Sequence, residues 1–321
     1  MAERLDAPLD ARARRIVHVT DCYKGGVRTH LDLVGRGLGL GKQTLVVLGG
    51  DMPTDAPFDD VVVIPFQRMS PLSWYRAAQK VRRIAAGSRL HGHSTFGGLV
   101  VALAARNRPF AYTPHAHVSM VRGPRHKVLT ARALGVVEGR LVRPSGTLVA
   151  CGRGEAGLLR TRYPRNHVVT IPHGMHKGPV PSEPRDVDFL FLGRLDSQKN
   201  PEAFLAFAAT VPGSVCAMAG DGPLAQKVDR IIAEQGLRNV HRLGYVEDPA
   251  AVMARARTFV LSSRYEVGVP FVCLEALSLG CQIKVLGNGP GLAEIEAAEP
   301  PSIDENMAAM RAMYDALGAL A

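Results

Sequence analysis

Two glutamates, Glu266 and Glu275, stand on either side of a change in the local pattern of the chain. The apolar run Phe259-Val260-Leu261 ends at Ser262-Ser263, a loop carries Arg264, Tyr265, Glu266 and Gly268, and a helical pattern runs from Pro270 to Leu279. A strand, a loop and a helix in that order place one carboxylate on the loop and the other about a turn and a half into the helix. Proline is tolerated in a first helical turn, so the amides that follow it are open to an anion. Carboxylates accept hydrogen bonds from hydroxyls. The pattern suits a ligand with both phosphate and hydroxyl groups; a glutamate near the cap followed by a helix-surface glutamate is the plainer alternative.

Upstream, Gly193-Arg194-Leu195-Asp196-Ser197-Gln198-Lys199-Asn200 follows the apolar pattern VDFLFL and precedes a helix. Arg194 and Lys199 would form a diphosphate clamp at the end of a strand, the arginine by its planar fork and the lysine as a point charge. Ordinary surface cations near a helix start are the alternative. Gly25-Gly26 follows the first strand and runs into a helix, where backbone can approach a ligand; without G-x-G-x-x-G spacing it is no dinucleotide fingerprint. His91 and His93 end one strand, and His115 and His117 end the next. Such pairs read as metal ligands, ligand-contacting imidazoles or strand-end polarity, and no acidic residue lies nearby in sequence to complete a metal shell. Asp186-Val187-Asp188 precedes a strand and reads as its solvated entrance. Gly220-Asp221-Gly222-Pro223 reads as a tight turn with no chemistry of its own.

The elements that must position these residues alternate. IVHVT, TLVVLGG, VVVIPF, RLHGHS, PFAYTPH, TLVACG and HVVTIPH are strand candidates in the first half, and VDFLFLGR, VCAMAGDG, VHRLGYV, TFVLSS and IKVLG in the second. Near-continuous apolar runs of this kind suit strands buried on both faces of a parallel sheet. Helical patterns at Val27–Leu38, Pro71–Ala86, Gly97–Asn107, Lys127–Val142, Pro201–Thr210, Leu224–Gln235, Pro249–Arg257 and Asp304–Leu320 separate many of them. The fold class is α/β, doubly wound. The Pro-, Gly- and charge-rich stretch Pro172–Asp188 marks a linker, giving domains 1–178 and 179–321.

Composition is that of an ordinary globular protein of two cores, with 321 residues, 46% hydrophobic and 21% charged. Five cysteines without C-x-x-C spacing argue for a reducing compartment and against a disulfide framework. No apolar run has signal-peptide or membrane-span length, so a cytoplasmic protein is expected. Residues 1–180 carry 27 Lys and Arg against 11 Asp and Glu, whereas residues 181–321 carry 12 against 18. Such asymmetry suggests that the basic half faces something anionic, for which lipid head groups, a lipid-linked diphosphate and nucleic acid all qualify, with a merely soluble basic surface as the plainer alternative; a nucleic-acid partner is not expected. Candidate contacts are Arg76, Lys80, Arg82 and Arg83 on one helix and Arg122, Arg125 and Lys127 after the His115 strand. Trp74 and Tyr75 are either head-group anchors or core.

Together these residues resemble a known family. Gly193-Arg194 with Lys199, AGDGPL from Ala219, Gly244-Tyr245-Val246 and the Glu266–Glu275 segment look like the nucleotide half of retaining GT-B glycosyltransferases of family 4. Gly25-Gly26, HGHS, YTPHAH, Cys151-Gly152 and IPHGM fit the other half. The likeness implies two Rossmann-like domains facing a cleft and transfer of a sugar from a nucleotide diphosphate sugar to a lipid-linked or polysaccharide acceptor, with retention and without a metal cofactor. It implies that Arg194 and Lys199 bind the diphosphate, with Gly25, Gly26, Gly268 and Val269 also at the donor. Glu266 and His115 would meet the transferred sugar as the catalytic pair, and Glu275 the ribose. Eight residues separate Glu266 from Glu275, one more than the family usually has. That spacing keeps open a GT-B-like binding protein without catalysis, and the paired histidines keep open a metal-dependent hydrolase.

Overall fold

The computed structural model describes residues 15–115, 117, 125–142, 145–176, 180, 184–266, 268–287, 292, 295 and 299–319. They form two compact units, one of residues 1–172 with 303–321 and one of residues 173–302.

In the first unit seven strands make a parallel sheet in the order β3-β2-β1-β4-β5-β6-β7. They are β1 Ile16–Thr20, β2 Gln43–Leu48, β3 Asp60–Ile64, β4 Arg89–His93, β5 Phe110–Thr113, β6 Gly146–Ala150 and β7 Val168–Thr170. The chain lays β2 and β3 on one side of β1 and then returns to lay β4 on the other, so the winding reverses between β1 and β4. Ligands bind beyond the carboxyl ends of strands at such a reversal. One face of the sheet packs Val17, Val19 and Leu90 against the helices Pro71–Ile84 and Ser94–Ala105. The latter comes unusually close: a Cβ on Gly97 would lie 2.4 Å from the Val19 carbonyl oxygen, and one on Gly98 would lie 2.3 Å from the Tyr112 ring. Only glycine fits either place.

The other face carries Ile16 and Ala111 under the helices Gly25–Gly37 and Ile303–Ala319. Here the domain division differs from the sequence reading, which gave the C-terminal helix to the second half. Its apolar stripe of Met307, Met310, Met313, Tyr314 and Leu317 is buried with Ile16, Val34 and Leu38 of the first unit. An amphipathic stripe states that a helix has a buried face but not which sheet it will cover.

In the second unit five parallel strands run in the order β10-β9-β8-β11-β12. They are β8 Val187–Leu192, β9 Cys216–Ala219, β10 Val240–Gly244, β11 Ala256–Leu261 and β12 Gln282–Val285. Here the winding reverses between β8 and β11. Asp186 and Asp188 pair with Arg255 and Arg257 at the strand entrance, as expected of a solvated end. A helix at Arg153–Arg162 escaped the periodicity reading. Its local signal is the capping pattern Gly152 with Glu155, whose Oε2 accepts from the Cys151 amide at 2.9 Å.

Candidate active site

In the second unit the loops that follow β8 and β11 lie side by side because their strands do. Asp196 shapes the first: its Oδ1 accepts from the amides of Gln198 and Lys199, both at 3.0 Å. The second loop is laced to it. Ser262 Oγ donates to the Lys199 carbonyl at 2.8 Å, the Arg264 amide to the Gln198 carbonyl at 2.8 Å, and Arg264 Nε to the Ser197 carbonyl at 2.9 Å. Arg264 Nη2 also donates to Asn200 Oδ1 at 3.1 Å. The outcome is that Lys199 Nζ stands 2.7 Å from Glu266 Oε1, with the carboxylate nearly buried and the ammonium a quarter exposed.

The turn at Gly220-Asp221-Gly222, to which the sequence assigned no chemistry, braces this loop from beneath. Gly220 has φ +126°, and a Cβ there would fall 1.9 Å from the Gly193 carbonyl oxygen. The Leu195 amide donates to the Asp221 carbonyl at 2.9 Å. Its role is to hold the backbone that carries Arg194 and Lys199.

Arg194 is placed differently from its expected partner. Its side chain is 72% exposed and its nearest carboxylate is Asp196, at 3.8 Å. Pro270 sits at the N-cap of the helix Phe271–Ser278, one position earlier than in a first turn, and its carbonyl accepts from the amides of Cys273 and Leu274. Gly268 is buried and Val269 half-buried just ahead of it. Glu275 is exposed midway along the helix, and partial desolvation raises its carboxyl above the usual range.

In the first unit, the reversal between β1 and β4 gathers imidazoles. The parallel register aligns His18 with His91 and Thr20 with His93, so three histidines share one face of the sheet. All three are fully buried, and burial pulls His18 down to about 4 and His91 and His93 well below the usual histidine range. They are neutral. His91 bonds Thr113 Oγ1 at 2.8 Å and the Tyr314 hydroxyl, which the C-terminal helix supplies. His115 follows β5 with φ +51°, a strained conformation for a side-chain-bearing residue. Its Nε2 lies 3.2 Å from His93 Nδ1.

His117 is drawn elsewhere. It lies 3.2 Å from Glu138 and 3.0 Å from the Tyr163 hydroxyl, all buried, so an acidic neighbour remote in sequence does accompany this pair. Among the described residues, His18, His91 and His93 form one group, and His30, His93 and His115 another, whose ligand atoms lie within 4.8 Å of one another. Gly25 and Gly26 open the helix after β1 and are exposed. Beside them a pocket of about 610 Å³ is lined by Asp21, Tyr23, Lys24, Arg28, Asp55 and Arg68, among others. Burial pushes the Asp21 carboxyl up, against the pull of Arg68.

Two parallel α/β units, each with its polar residues at a reversal of the winding, have the architecture of GT-B glycosyltransferase structures. Anabaena HepE in complex with UDP superposes with a TM-score of 0.67 at 16% identity, covering 95% of this chain and 92% of that one. Sucrose-phosphate synthase of Thermosynechococcus elongatus gives 0.68 at 14% identity over 95% and 97%. Residues 186–313 match the family described as Glycosyl transferases group 1. A Campylobacter jejuni enzyme is 37% identical over 93 residues: GalNAc-alpha-(1->4)-GalNAc-alpha-(1->3)-diNAcBac-PP-undecaprenol alpha-1,4-N-acetyl-D-galactosaminyltransferase. That match spans 27% of this chain and only a quarter of the relative's length.

Proposed function

We propose that the protein is a retaining glycosyltransferase of family 4 that moves a sugar from a nucleotide diphosphate sugar to an acceptor hydroxyl. The observation that carries this reading is the Lys199–Glu266 pair at the β8/β11 reversal, inside the segment that matches group 1 glycosyl transferases. An arriving diphosphate competes with Glu266 for Lys199, and Arg194, exposed on the same loop, swings to the same charge. Both cations and the amides heading the helix Phe271–Ser278 then stabilise the negative charge that grows on the leaving diphosphate. Glu266, relieved of its cation, accepts from hydroxyls of the transferred sugar; Glu275 accepts from the ribose. Bond breaking at the anomeric carbon and attack by the acceptor hydroxyl take place on one face, the proton passing to the departing phosphate. No metal enters this scheme, since protein cations carry its charge stabilisation.

The acceptor in this reading is lipid-linked or a polysaccharide. The basic first half and the undecaprenol-linked substrate in the Campylobacter relative's name both support it. A peripheral position at the inner face of an anionic membrane would follow. Helix Pro71–Ile84 offers Arg76, Lys80 and Arg83 exposed, with Met69, Leu72 and Tyr75 exposed at its head. Trp74 is tied down instead, its Nε1 donating to the Arg68 carbonyl at 2.8 Å and its ring packed on Phe96. Arg125 is exposed, while Arg122 and the Lys127 side chain lie outside the described residues. No helix among the described residues is long and apolar enough to cross a membrane.

A panel of uridine and guanosine diphosphate sugars tests the reading without added metal. One donor should raise the melting temperature, because a ligand that binds only the native state must stabilise it. The same donor should be slowly hydrolysed, or transferred when a lipid-linked acceptor is added. A panel in which no donor binds would overturn the assignment, and binding without turnover would favour the non-catalytic alternative.

A further inference from the structure

The pocket of about 610 Å³ in the first unit stands beyond the carboxyl ends of β1, β2 and β3, to one side of the reversal between β1 and β4. Its volume is that of a small-molecule site. The loop after β2 makes one wall. Gly49 and Gly50, at φ +77° and +78°, turn the chain through a left-handed conformation that favours glycine, and Asp51, Met52 and Asp55 follow on the pocket's lining.

The charges in this pocket cancel. Lys24, Arg28 and Arg68 are met by Asp21, Asp51 and Asp55 on the same walls. Arg28 Nη2 lies 2.5 Å from Asp55 Oδ2, its Nε lies 3.5 Å from Asp32 Oδ2, and Arg68 Nη2 lies 3.1 Å from Asp21 Oδ2. An entering phosphate would meet as many carboxylates as cations, and their repulsion would offset what the cations give. Hydroxyls meet no such conflict. A hydroxyl accepts from a guanidinium and donates its own proton to a carboxylate, so an arginine beside an aspartate suits two adjacent hydroxyls. Between these polar groups the pocket also presents Tyr23, Phe66 and the 53% exposed Met52. That apolar surface has nothing to offer a phosphate, whereas the C–H face of a sugar ring packs on it.

We propose that this pocket binds an uncharged sugar unit, so that the acceptor is a carrier already bearing a neutral sugar at its growing end. The class of ligand rests on the pocket alone; its role as acceptor rests on the glycosyltransferase reading. Lys24 and Arg28 flank Gly25-Gly26, the glycines expected at the donor, so a sugar held here stands beside them. In that role a hydroxyl oxygen of the bound sugar forms the new bond to the anomeric carbon as the bond to the diphosphate breaks, and its proton leaves with the nucleoside diphosphate. The carrier must then come from an earlier glycosyl transfer. The protein extends a chain that another enzyme has begun.

Spectra of the full chain carrying methyl-labelled methionine test the proposal, because Met52 reports on this pocket and not on the loops of the second unit. The probes are the methyl glycosides of glucose, galactose, N-acetylglucosamine and N-acetylgalactosamine, with inorganic pyrophosphate as the anionic arm. At least one glycoside should shift the Met52 signal, identified with Met52→Leu, with an affinity that holds as salt is raised to about 0.5 M, and pyrophosphate should leave the signal in place. Asp51→Asn combined with Asp55→Asn alters two exposed side chains, removes two charged acceptors and uncovers Arg28. It should weaken the glycoside about tenfold, the worth of a charge-assisted hydrogen bond, and let pyrophosphate shift Met52. Pyrophosphate shifting Met52 in the wild type, or no glycoside shifting it, would overturn the proposal. A glycoside that shifts Met52 in a protein that no nucleotide sugar stabilises would keep the sugar site and end its role as acceptor. Turnover of a nucleotide sugar by a protein whose Met52 answers only to pyrophosphate would keep the glycosyltransferase and end the sugar site.

Discussion

Lys199 Nζ and Glu266 Oε1 are 2.7 Å apart although 67 residues separate them in the chain. The contact ties the loop after β8 to the loop after β11, and among the described residues it gives the buried Glu266 carboxylate its cation. The two cations of the expected clamp therefore have different structural duties.

Replacing either cation by alanine should weaken donor turnover. Losing one charge-assisted contact costs about 1.5 to 3 kcal/mol, or roughly 10- to 150-fold in rate. Stability separates the two variants. Lys199→Ala strands the Glu266 carboxylate and should lower the melting temperature, whereas Arg194→Ala alters a 72% exposed side chain and should leave stability within about 0.5 kcal/mol of wild type. Full turnover in both variants would remove the clamp.

The two glutamates should divide kinetically. Glu275→Gln is expected to weaken binding of free nucleoside diphosphate, and Glu266→Gln to lower kcat with little change in nucleotide affinity. Titration of the nucleotide against both variants checks this; equal affinity in wild type and Glu275→Gln would end the ribose role.

Gly220→Ala should damage the proposed donor site from beneath. With φ +126° and a carbonyl oxygen 1.9 Å from the new Cβ, the loop at Gly193 must move, so both stability and nucleotide affinity should fall. Gly157→Ala is the control. It lies inside the helix Arg153–Arg162 with open space around it, and should raise stability by about 0.5 to 1 kcal/mol.

Acid should destabilise the first unit before general acid denaturation sets in. An unfolded histidine takes its proton near 6.5, and folded His18 only near 4, so between those values the unfolded chain binds more protons. Stability is thus fully present above about pH 6.5 and declines as pH falls toward 4, by about 3 kcal/mol from His18 alone. His91 and His93 steepen the decline, and the neighbouring His30 and His115 share the same site. Melting curves across this range should show a shallower slope in His18→Phe; an unchanged slope would mean that the imidazole is not held neutral.

Anionic vesicles should sediment the protein at low salt and release it by about 0.5 M salt, as screening shortens. Zwitterionic vesicles should not bind it. Arg76→Glu, Lys80→Glu and Arg83→Glu combined should abolish the effect, each basic group near the surface being worth about 1 kcal/mol. Binding that ignores lipid charge would point to a soluble acceptor instead.

Alternation of apolar runs with helical patterns, the strand ends, and the placing of Arg194, Lys199 and Glu266 on loops after strands and of Glu275 within a helix were all legible in the sequence. They are local: a strand buried on both faces must read as an apolar run, and a loop that follows it must fall at its carboxyl end. What the sequence left undecided depends on strand order and packing. That β8 lies next to β11, bringing Lys199 to Glu266, follows from hydrogen-bond pairing between segments some 70 residues apart in the chain. The C-terminal helix crosses to the first unit because its methionine and tyrosine stripe fits the gap over Ile16 and Val34, a match of shapes that no window of sequence displays. Gln43 stands just before the strand candidate TLVVLGG and carried no expectation, and His18 was one residue of the strand candidate IVHVT. Only the register of β1 against β2 and β4, stacking His18 between Gln43 and His93, made them the far end of a line that reaches His115.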